Sequence, residues 1–353
     1  MSRAIALLSL LLLAAASATW AGAVALGRHT PIVRNFIAAE LEEQRRTNGA
    51  LQYHGGFVDD GDFLLMGEVA QADYSRGGVY FFGSSETRTT IKPWELAPGE
   101  RALIHNYSIA DVRHREVYFF IRMLIEERGL LQAGAGRTSI ILPTYYFMGR
   151  IKDPKVRLWE DYVEKLFERH GEYAYDWDSG IHVRPVSEAE RAVRRWRDEA
   201  HRFMQIATGA RRSLVYPGLR DDAEVAALVG REFPPEWRGI MDEELDYFER
   251  TLDYLADKGV RVVVLFPPLA PVHDTMPYRG AYQRDVARIL TGRTVRIADY
   301  RDVFPPAPIE TNRFIADHVH MRYAGQERLH AAYRDLALDE LRLMNIAPAS
   351  APR

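Results

Sequence analysis

Short apolar runs alternate with segments of helical periodicity over most of this chain, and this alternation limits the possible folds more than any other feature. The runs that predict buried strands are Val79–Phe82, Ala102–His105, Ser139–Leu142, Arg261–Phe266 and Thr294–Ala298. The main helical segments are Asp111–Arg128, Met241–Lys258 and Ala324–Leu343. Strands that alternate with helices pair in parallel and carry helices on both faces. We therefore expect an α/β three-layer sandwich with a parallel sheet, of the flavodoxin-like type.

Composition excludes several kinds of chemistry. The chain of 353 residues has no cysteine, so disulfides, thiolate catalysis, iron–sulfur clusters, cysteine-type zinc sites and a lipoprotein anchor are all excluded. A net charge of −3 gives no general attraction to nucleic acid. Gly134 and Gly136 lack the rest of either phosphate-loop pattern. We expect no cofactor and no nucleic-acid partner.

The first 27 residues predict a membrane anchor or a signal peptide. Ala4–Leu26 comprises 23 residues without a charge, and a helix of that length spans about 34 Å, enough for a bilayer core of about 30 Å. Ala16-Ser17-Ala18 offers the small-x-small pattern of a cleavage site. The apolar run continues past it, which favours an uncleaved single-pass anchor. Either form exports the rest of the chain, so we expect an extracytoplasmic domain.

The remainder divides into a linker and a catalytic domain. Residues 28–76 predict a stalk, because 30–48 has the pattern of a short polar helix bounded by Thr30-Pro31 and Asn48-Gly49. Residues 77–345 carry the strand–helix alternation. Within them, the stretch from about 150 to 238 is rich in Arg, Glu, Trp and Tyr, and predicts a helical insertion without strong strands.

A serine follows the first predicted strand directly. Val79–Phe82 leads into Gly83-Ser84-Ser85-Glu86, and ligands of open parallel sheets bind at the carboxyl ends of the strands. Ser85 would open the next helix, so its N–H would point into the site and could bind an oxyanion. The alternative is that Ser84 or Ser85 only caps a helix.

A second polar segment lies near the C-terminus, at Asp317-His318-Val319-His320. A serine hydroxyl needs a base to take its proton, and the base needs a carboxylate to fix its tautomer. The order Ser…Asp…His predicts Ser85, Asp317 and His320 as the catalytic residues. Asp317, His318 and His320 could instead bind a metal, but nothing elsewhere in the sequence completes the ligand set, so we expect no metal.

At these residues the chain resembles the SGNH (GDSL-like) hydrolases, and most of all the DltD family, the D-alanine transfer proteins of bacterial envelopes. Phe82–Glu86 resembles the nucleophile segment of that family, and Asp317–His320, continuing to Gly325, resembles its Asp-x-x-His segment. Arg261–Phe266 with Pro267-Pro268 resembles the strand and Pro-rich loop between them. The resemblance implies Ser85 as nucleophile, with Ser84 as the runner-up, His320 as base and Asp317 as its orienter.

The chain departs from the superfamily pattern where the oxyanion hole is expected. His105–Asp111 lacks the glycine of the second block, and Leu142–Tyr146 lacks the asparagine of the third. The candidates left for the oxyanion hole are the Ser85 N–H and Asn106.

The resemblance implies an envelope O-acyltransferase that moves D-alanyl or another small acyl group to a hydroxyl of a polymer or glycan. It also implies a partner that delivers the acyl group, either a carrier or a membrane acyltransferase. Two alternatives use the same sequence features: an exported esterase or thioesterase with the same triad, and a non-catalytic scaffold on a degenerate hydrolase fold.

Overall fold

A computed structural model of the protein describes residues 8–18, 31–51, 69, 72–92, 95–110, 112–145, 148, 166, 171–176, 179–207, 215–232, 238–275 and 277–348. Its centre is a five-stranded parallel sheet. The strands of this sheet are β2 (Gly78–Phe81), β3 (Ile104–Asn106), β4 (Thr138–Pro143), β8 (Arg261–Phe266) and β9 (Arg296–Asp299). Each overlaps one of the five predicted runs, so the α/β class and the parallel sheet are confirmed.

The sheet order is β3-β2-β4-β8-β9. Counted along the chain, this is the order 2-1-3-4-5, which reverses between β2 and β4 and so creates a switch point at their carboxyl ends. The central strand β4 is buried along its whole length, whereas the edge strand β9 is mostly exposed. This difference explains why β9 has the weakest apolar run in the sequence.

Helices pack against the sheet in two groups. The described helices are α1 (Pro31–Thr47), α2 (Ser85–Thr90), α3 (Pro98–Arg101), α4 (His114–Glu126), α5 (Glu188–Ala207), α6 (Asp222–Glu232), α7 (Arg238–Asp257), α8 (Pro277–Leu290) and α9 (Tyr323–Leu343). Helix α7 contacts α4 and α8, while α9 contacts α2 and β2. Right-handed crossovers in a 2-1-3-4-5 sheet put the first connection on one face and the later ones on the other, which is consistent with three layers.

The region predicted to be a helical insertion contains strands as well as helices. Strands β5 (Tyr173–Asp176) and β6 (Gly180–Val183) form an antiparallel hairpin that packs on α4. The prediction of helices without strong strands did not include this short hairpin. Much of the interval 150–170 lies outside the described residues.

The polar helix predicted as a stalk is present as α1, but its C-terminal part packs on the domain. Gln44 is buried and its side-chain amide donates to Gln326 Oε1 of α9 at 3.0 Å. Beyond α1, β1 (Ala50–Leu51) pairs with β7 (Val215–Tyr216). The stalk prediction therefore needs correcting for these residues, which pack against the domain and do not stand apart from it.

The predicted anchor falls mainly outside the described residues, although 8–18 are helical. In the part of the chain that the structure describes, no helix combines the length and the apolarity that crossing a bilayer requires.

Candidate active site

The turn between β2 and α2 brings Ser85 to the switch point of the sheet. Gly83 lies in this turn, where the Ile109 N–H donates to its carbonyl at 3.0 Å. A Cβ at Gly83 would lie 2.6 Å from Thr87 Oγ1 and 3.0 Å from Pro143 Cγ. The close packing of the strand end on α2 and β4 therefore requires glycine at this position.

Ser85 and His320 meet across 235 residues of sequence. The Ser85 Oγ lies 2.9 Å from His320 Nε2, and a small part of each side chain reaches the surface. The neighbouring Ser84 has no exposed surface, and its carbonyl accepts the Arg88 N–H at 2.9 Å. Of the two predicted serines, Ser85 is the one bonded to the imidazole.

Asp317 holds the other side of the imidazole. Its Oδ2 lies 2.8 Å from His320 Nδ1, while its Oδ1 accepts the backbone N–H groups of Val319 and His320 at 2.9 and 2.8 Å. A carboxylate has only acceptors, so Nδ1 carries the proton and Nε2 is left to accept from the Ser85 hydroxyl. The structure thus brings Ser85, His320 and Asp317 together as predicted.

The loop that carries Asp317 and His320 is a tight hairpin fixed at its base. Ile315 and Met321 form an antiparallel bridge, and the Ala316 N–H donates to the His320 carbonyl at 2.9 Å. At the base of the hairpin, Asn312 Oδ1 accepts from Phe314 N and Ile315 N, both at 2.8 Å. The geometry of the imidazole is therefore set by several hydrogen bonds within one loop.

Arg322 and His273 support this hairpin from two sides, and the sequence analysis named neither of them. Arg322 Nε donates to the carbonyls of Asn312 and Ile315 at 2.9 and 3.1 Å. The His273 Nε2–H donates to the His318 carbonyl at 2.9 Å, and burial lowers the pKa of His273 to about 3. His273 is therefore neutral at pH values well above 3 and can hold this bond there. Arg322 lies just after the Asp-x-x-His motif and directly before α9, and His273 follows β8. Neither position alone indicates a bond to the hairpin.

His318 points away from the arrangement that a metal would need. It is buried, and its ring centroid lies 5.4 Å from that of His273. Asp317 uses both carboxylate oxygens within its own hairpin. Among the residues that the structure describes, no group of three or more His, Asp or Glu side chains is placed to hold a metal ion.

Asn106 does not face the serine, so its assignment to the oxyanion hole was wrong. Its Nδ2 donates to the carbonyls of Thr87, Arg88 and Ile91 at 3.0–3.2 Å, and its Oδ1 accepts the Ser108 N–H at 3.2 Å. The amide thus binds carbonyls at the C-terminal end of α2, where helix carbonyls lack enough partners inside the helix. The other predicted donor, the Ser85 N–H, belongs to the first residue of α2, and its role stays a prediction.

A buried carboxylate follows the serine directly. Glu86 accepts from the Tyr145 hydroxyl at 2.6 Å and from Thr87 Oγ1 at 2.8 Å. Tyr145 stands just beyond the end of β4, so this bond ties the start of α2 to the neighbouring strand. The sequence analysis passed over Glu86, since a charged residue at the first turn of a helix is usually solvated.

A hydroxyl, an imidazole and a carboxylate in this order form the arrangement that activates serine nucleophiles on several unrelated folds. Chemically, such an arrangement can pass an acyl group from the serine to an alcohol or to water. No protein-family model matches the chain, and no curated protein sequence matches it.

Proposed function

We propose that this protein is an acyl-transfer enzyme that works through an acyl-serine intermediate. The observation that carries the proposal is the continuous hydrogen-bonded chain from Ser85 Oγ through His320 to Asp317, with distances of 2.9 and 2.8 Å. In nucleophilic catalysis the nucleophile typically lies within about 2.6–3.2 Å of its base, and a third group orients the base.

The geometry supports the following steps. His320 Nε2 takes the proton of Ser85 as Oγ attacks the acyl carbonyl, and Asp317 stabilises the imidazolium that forms. The tetrahedral intermediate collapses, the bond to the leaving group breaks, and His320 returns the proton to that group. An acceptor hydroxyl then gives its proton to His320 and attacks the acyl-serine. Collapse of the second tetrahedral intermediate releases the new ester, and His320 returns the proton to Ser85.

At a finer level, we propose an SGNH-type enzyme close to the DltD family. The sheet order 2-1-3-4-5, the serine after the first strand and the Asp-x-x-His hairpin after the fifth support it. The acceptor would be a hydroxyl of an envelope polymer or glycan. A carrier or a membrane acyltransferase would supply the acyl group, and the apolar N-terminal segment would hold the domain at the outer face of the membrane.

Serine-directed labelling tests the nucleophile. A fluorophosphonate should label the wild-type chain and the Ser84→Ala variant, and should label neither Ser85→Ala nor His320→Ala at a comparable rate. The turnover of a small activated ester should fall by about 10³-fold or more in Ser85→Ala. Equal labelling of the Ser85→Ala variant would refute the proposal, provided that its thermal unfolding matches the wild type.

Product analysis separates transfer from hydrolysis. The acyl-enzyme would be formed from an activated ester, with and without an alcohol acceptor in the same buffer. We expect the acceptor ester as the main product. Free acid alone at every acceptor concentration would assign the same triad to an esterase.

A further inference from the structure

A cavity of about 170 Å³ lies at the carboxyl edge of the sheet without including Ser85. Its walls come from the segments that follow three neighbouring strands: Thr144-Tyr145 after β4, Phe266–Leu269 after β8 and Arg301-Asp302 after β9. Ligands of open α/β sheets bind in the crevice outside the carboxyl ends of the strands. The proposed reaction uses Ser85 after β2 together with His320 and Asp317 of the later hairpin, so the cavity has no role in it yet.

Two wall residues connect the cavity directly to the candidate active site. Tyr145 lines the cavity, and its hydroxyl donates to Glu86, the residue after Ser85. Ile315 also lines it, and forms the bridge with Met321 that closes the hairpin of Asp317 and His320. A molecule in the cavity would therefore lie beside the serine without occupying its place.

A rigid set of planar polar groups faces this cavity. Arg279 and Gln283 come from α8, and Arg301 follows β9. With the Gln283 amide turned so that its oxygen faces the two guanidinium groups, this oxygen accepts from Arg279 Nε and from Arg301 Nη1, each at 3.1 Å. The Arg301 guanidinium also lies over the Phe266 ring, 5.0 Å from its centroid. Groups held by one another in this way keep their positions when a ligand enters, which reduces the entropy cost of binding.

The charges around the cavity do not favour an anion. Arg279 pairs with Asp274, and Arg301 donates to both carboxylate oxygens of Asp299 at 2.9 and 3.1 Å. Asp302 adds another carboxylate to the wall. Two guanidinium groups thus face three carboxylates, so the cavity offers donors and acceptors without a positive excess.

Part of the remaining wall is apolar, because it includes the prolines that follow β8 and the pair Pro305-Pro306, while Thr144, Tyr145, Tyr282 and Asn312 add polar groups. Pockets that combine apolar walls with a few fixed polar groups bind ligands of the same mixed character. An uncharged sugar ring has that character, since its C–H faces are apolar and its rim carries hydroxyl groups that both donate and accept.

We infer that this cavity binds an uncharged sugar ring of the acyl acceptor, next to the sugar whose hydroxyl receives the acyl group from Ser85. The inference rests on the proposed function and narrows its acceptor to a neutral glycan. Binding energy from a part of the substrate that does not react would position the reacting hydroxyl.

Binding of three sugar tetramers that differ in charge tests this inference. The protein is the full chain carrying Ser85→Ala, in detergent, so no turnover is needed. The probes are tetramers of N-acetylglucosamine, glucosamine and galacturonic acid, which are neutral, cationic and anionic, measured by calorimetry at constant salt. We expect the neutral tetramer to bind at least tenfold more tightly than either charged one. Tighter binding of a charged tetramer, or no binding of any, would overturn the inference.

Variants locate the binding in the cavity. In the chain that carries Ser85→Ala, a second substitution, either Arg279→Gln or Asp302→Asn, should weaken the binding of the neutral tetramer at least tenfold. The matched control is Arg293→Gln, since Arg293 and Arg279 have the same side-chain exposure of 23% and each forms an ion pair. Arg293 follows the other end of α8. Unchanged affinity in both cavity variants, or an equal loss in the control, would place the site elsewhere. Labelling of Ser85 is measured separately, so failure of the sugar site and failure of the nucleophile remain distinguishable.

Discussion

Asp317 shows how one side chain can have a structural role and a chemical role at separate atoms. Its Oδ1 accepts two backbone N–H groups and so shapes the hairpin, while its Oδ2 accepts from the imidazole of His320. The division means that a substitution at this residue can remove the second role and keep the first.

Asp317→Asn is the substitution that makes this separation. The amide oxygen can still accept the N–H groups of Val319 and His320, but the amide nitrogen cannot accept from Nδ1. His320 would then carry its proton on Nε2 and could not act as a base. We expect the turnover of a small ester to fall by about 10³–10⁴-fold, with thermal unfolding close to the wild type.

The control for this variant is Asp339→Asn, which changes the same chemical group on the outer side of α9, where Asp339 pairs with Arg342. Its turnover should equal that of the wild type. An Asp317→Asn enzyme that retains more than a tenth of wild-type turnover would mean that the carboxylate does not orient the base.

At this scale the sequence predicts the three hydrogen-bonded residues of the candidate site and misses the residues that support them. Ser85, Asp317 and His320 lie in short motifs whose spacing reflects their chemistry. For Asn106, the sequence shows only that the residue stands at the end of a strand. It does not show that the side-chain amide binds carbonyls at the end of α2, because those carbonyls lie fifteen or more residues away in the chain. Arg322 and His273 bind backbone groups, and backbone acceptors leave no trace in a sequence.

The element that presents Ser85 is short and depends on its neighbours. Helix α2 has six residues, fewer than an isolated helix needs to be stable. Asn106 on β3 binds carbonyls at its C-terminal end, and Tyr145 beyond β4 holds Glu86 in its first turn. Both strands that flank β2 therefore hold the helix whose first residue is Ser85.

Gly83→Ala should disturb this packing. The added methyl group would lie within contact distance of both Thr87 and Pro143, so α2 would have to move away from the end of β4. Overpacking of this kind typically costs about 1–3 kcal/mol. We expect that loss of unfolding free energy in urea, together with slower fluorophosphonate labelling of Ser85.

Gly136→Ala is the matched control for that substitution, because no atom lies within 4 Å of a Cβ built at Gly136. It should leave both the labelling rate and the urea midpoint unchanged. If Gly83→Ala behaved in the same way as this control, the turn would not need its close approach to β4.

Among the elements, those buried in the sheet are the ones that the sequence predicts. The inner strands have clear apolar runs because their neighbours in the sheet and the helix layers exclude water, whereas the exposed edge strand β9 has the weakest run. The β5–β6 hairpin was missed because its residues alternate between buried and exposed without a long apolar run. Its position is set by packing on α4, which periodicity along one segment does not report.

On the scale of the whole molecule, a buried charge cluster joins the two long helices α4 and α7. Arg113 Nη2 donates to Glu116 Oε1 at 2.7 Å, and Arg113 Nε lies 3.8 Å from Glu244 Oε1. The Arg115 N–H donates to Glu244 Oε2 at 3.0 Å. These side chains are almost completely buried. Burial, and then the nearby charge of Glu116, raise the pKa of Glu244 from an ordinary 4.5 to about 8, against the opposing effect of Arg113.

This pKa makes the stability of the domain depend on pH. Below about pH 4.5, Glu244 is protonated in both the folded and the unfolded chain. Between 4.5 and about 8, the unfolded chain releases the proton while the folded chain keeps it, so each rise in pH favours unfolding. The contribution of the protonated carboxyl is therefore complete in acid and is lost progressively up to about pH 8.

Glu244→Gln should remove this dependence, because an amide of the same shape has no proton to release. We define the stability difference as the unfolding free energy of the variant minus that of the wild type, measured by urea unfolding at constant salt. This difference should increase by roughly 2–4 kcal/mol between pH 5 and pH 8. Glu243→Gln provides the comparison, since that neighbouring side chain is 54% exposed. Its difference from the wild type should change less with pH than that of Glu244→Gln, because the charge of Glu243 is the smallest of the named effects on the pKa of Glu244. A flat difference for Glu244→Gln would show that Glu244 is ionised in the folded protein throughout this range and forms an ion pair with Arg113.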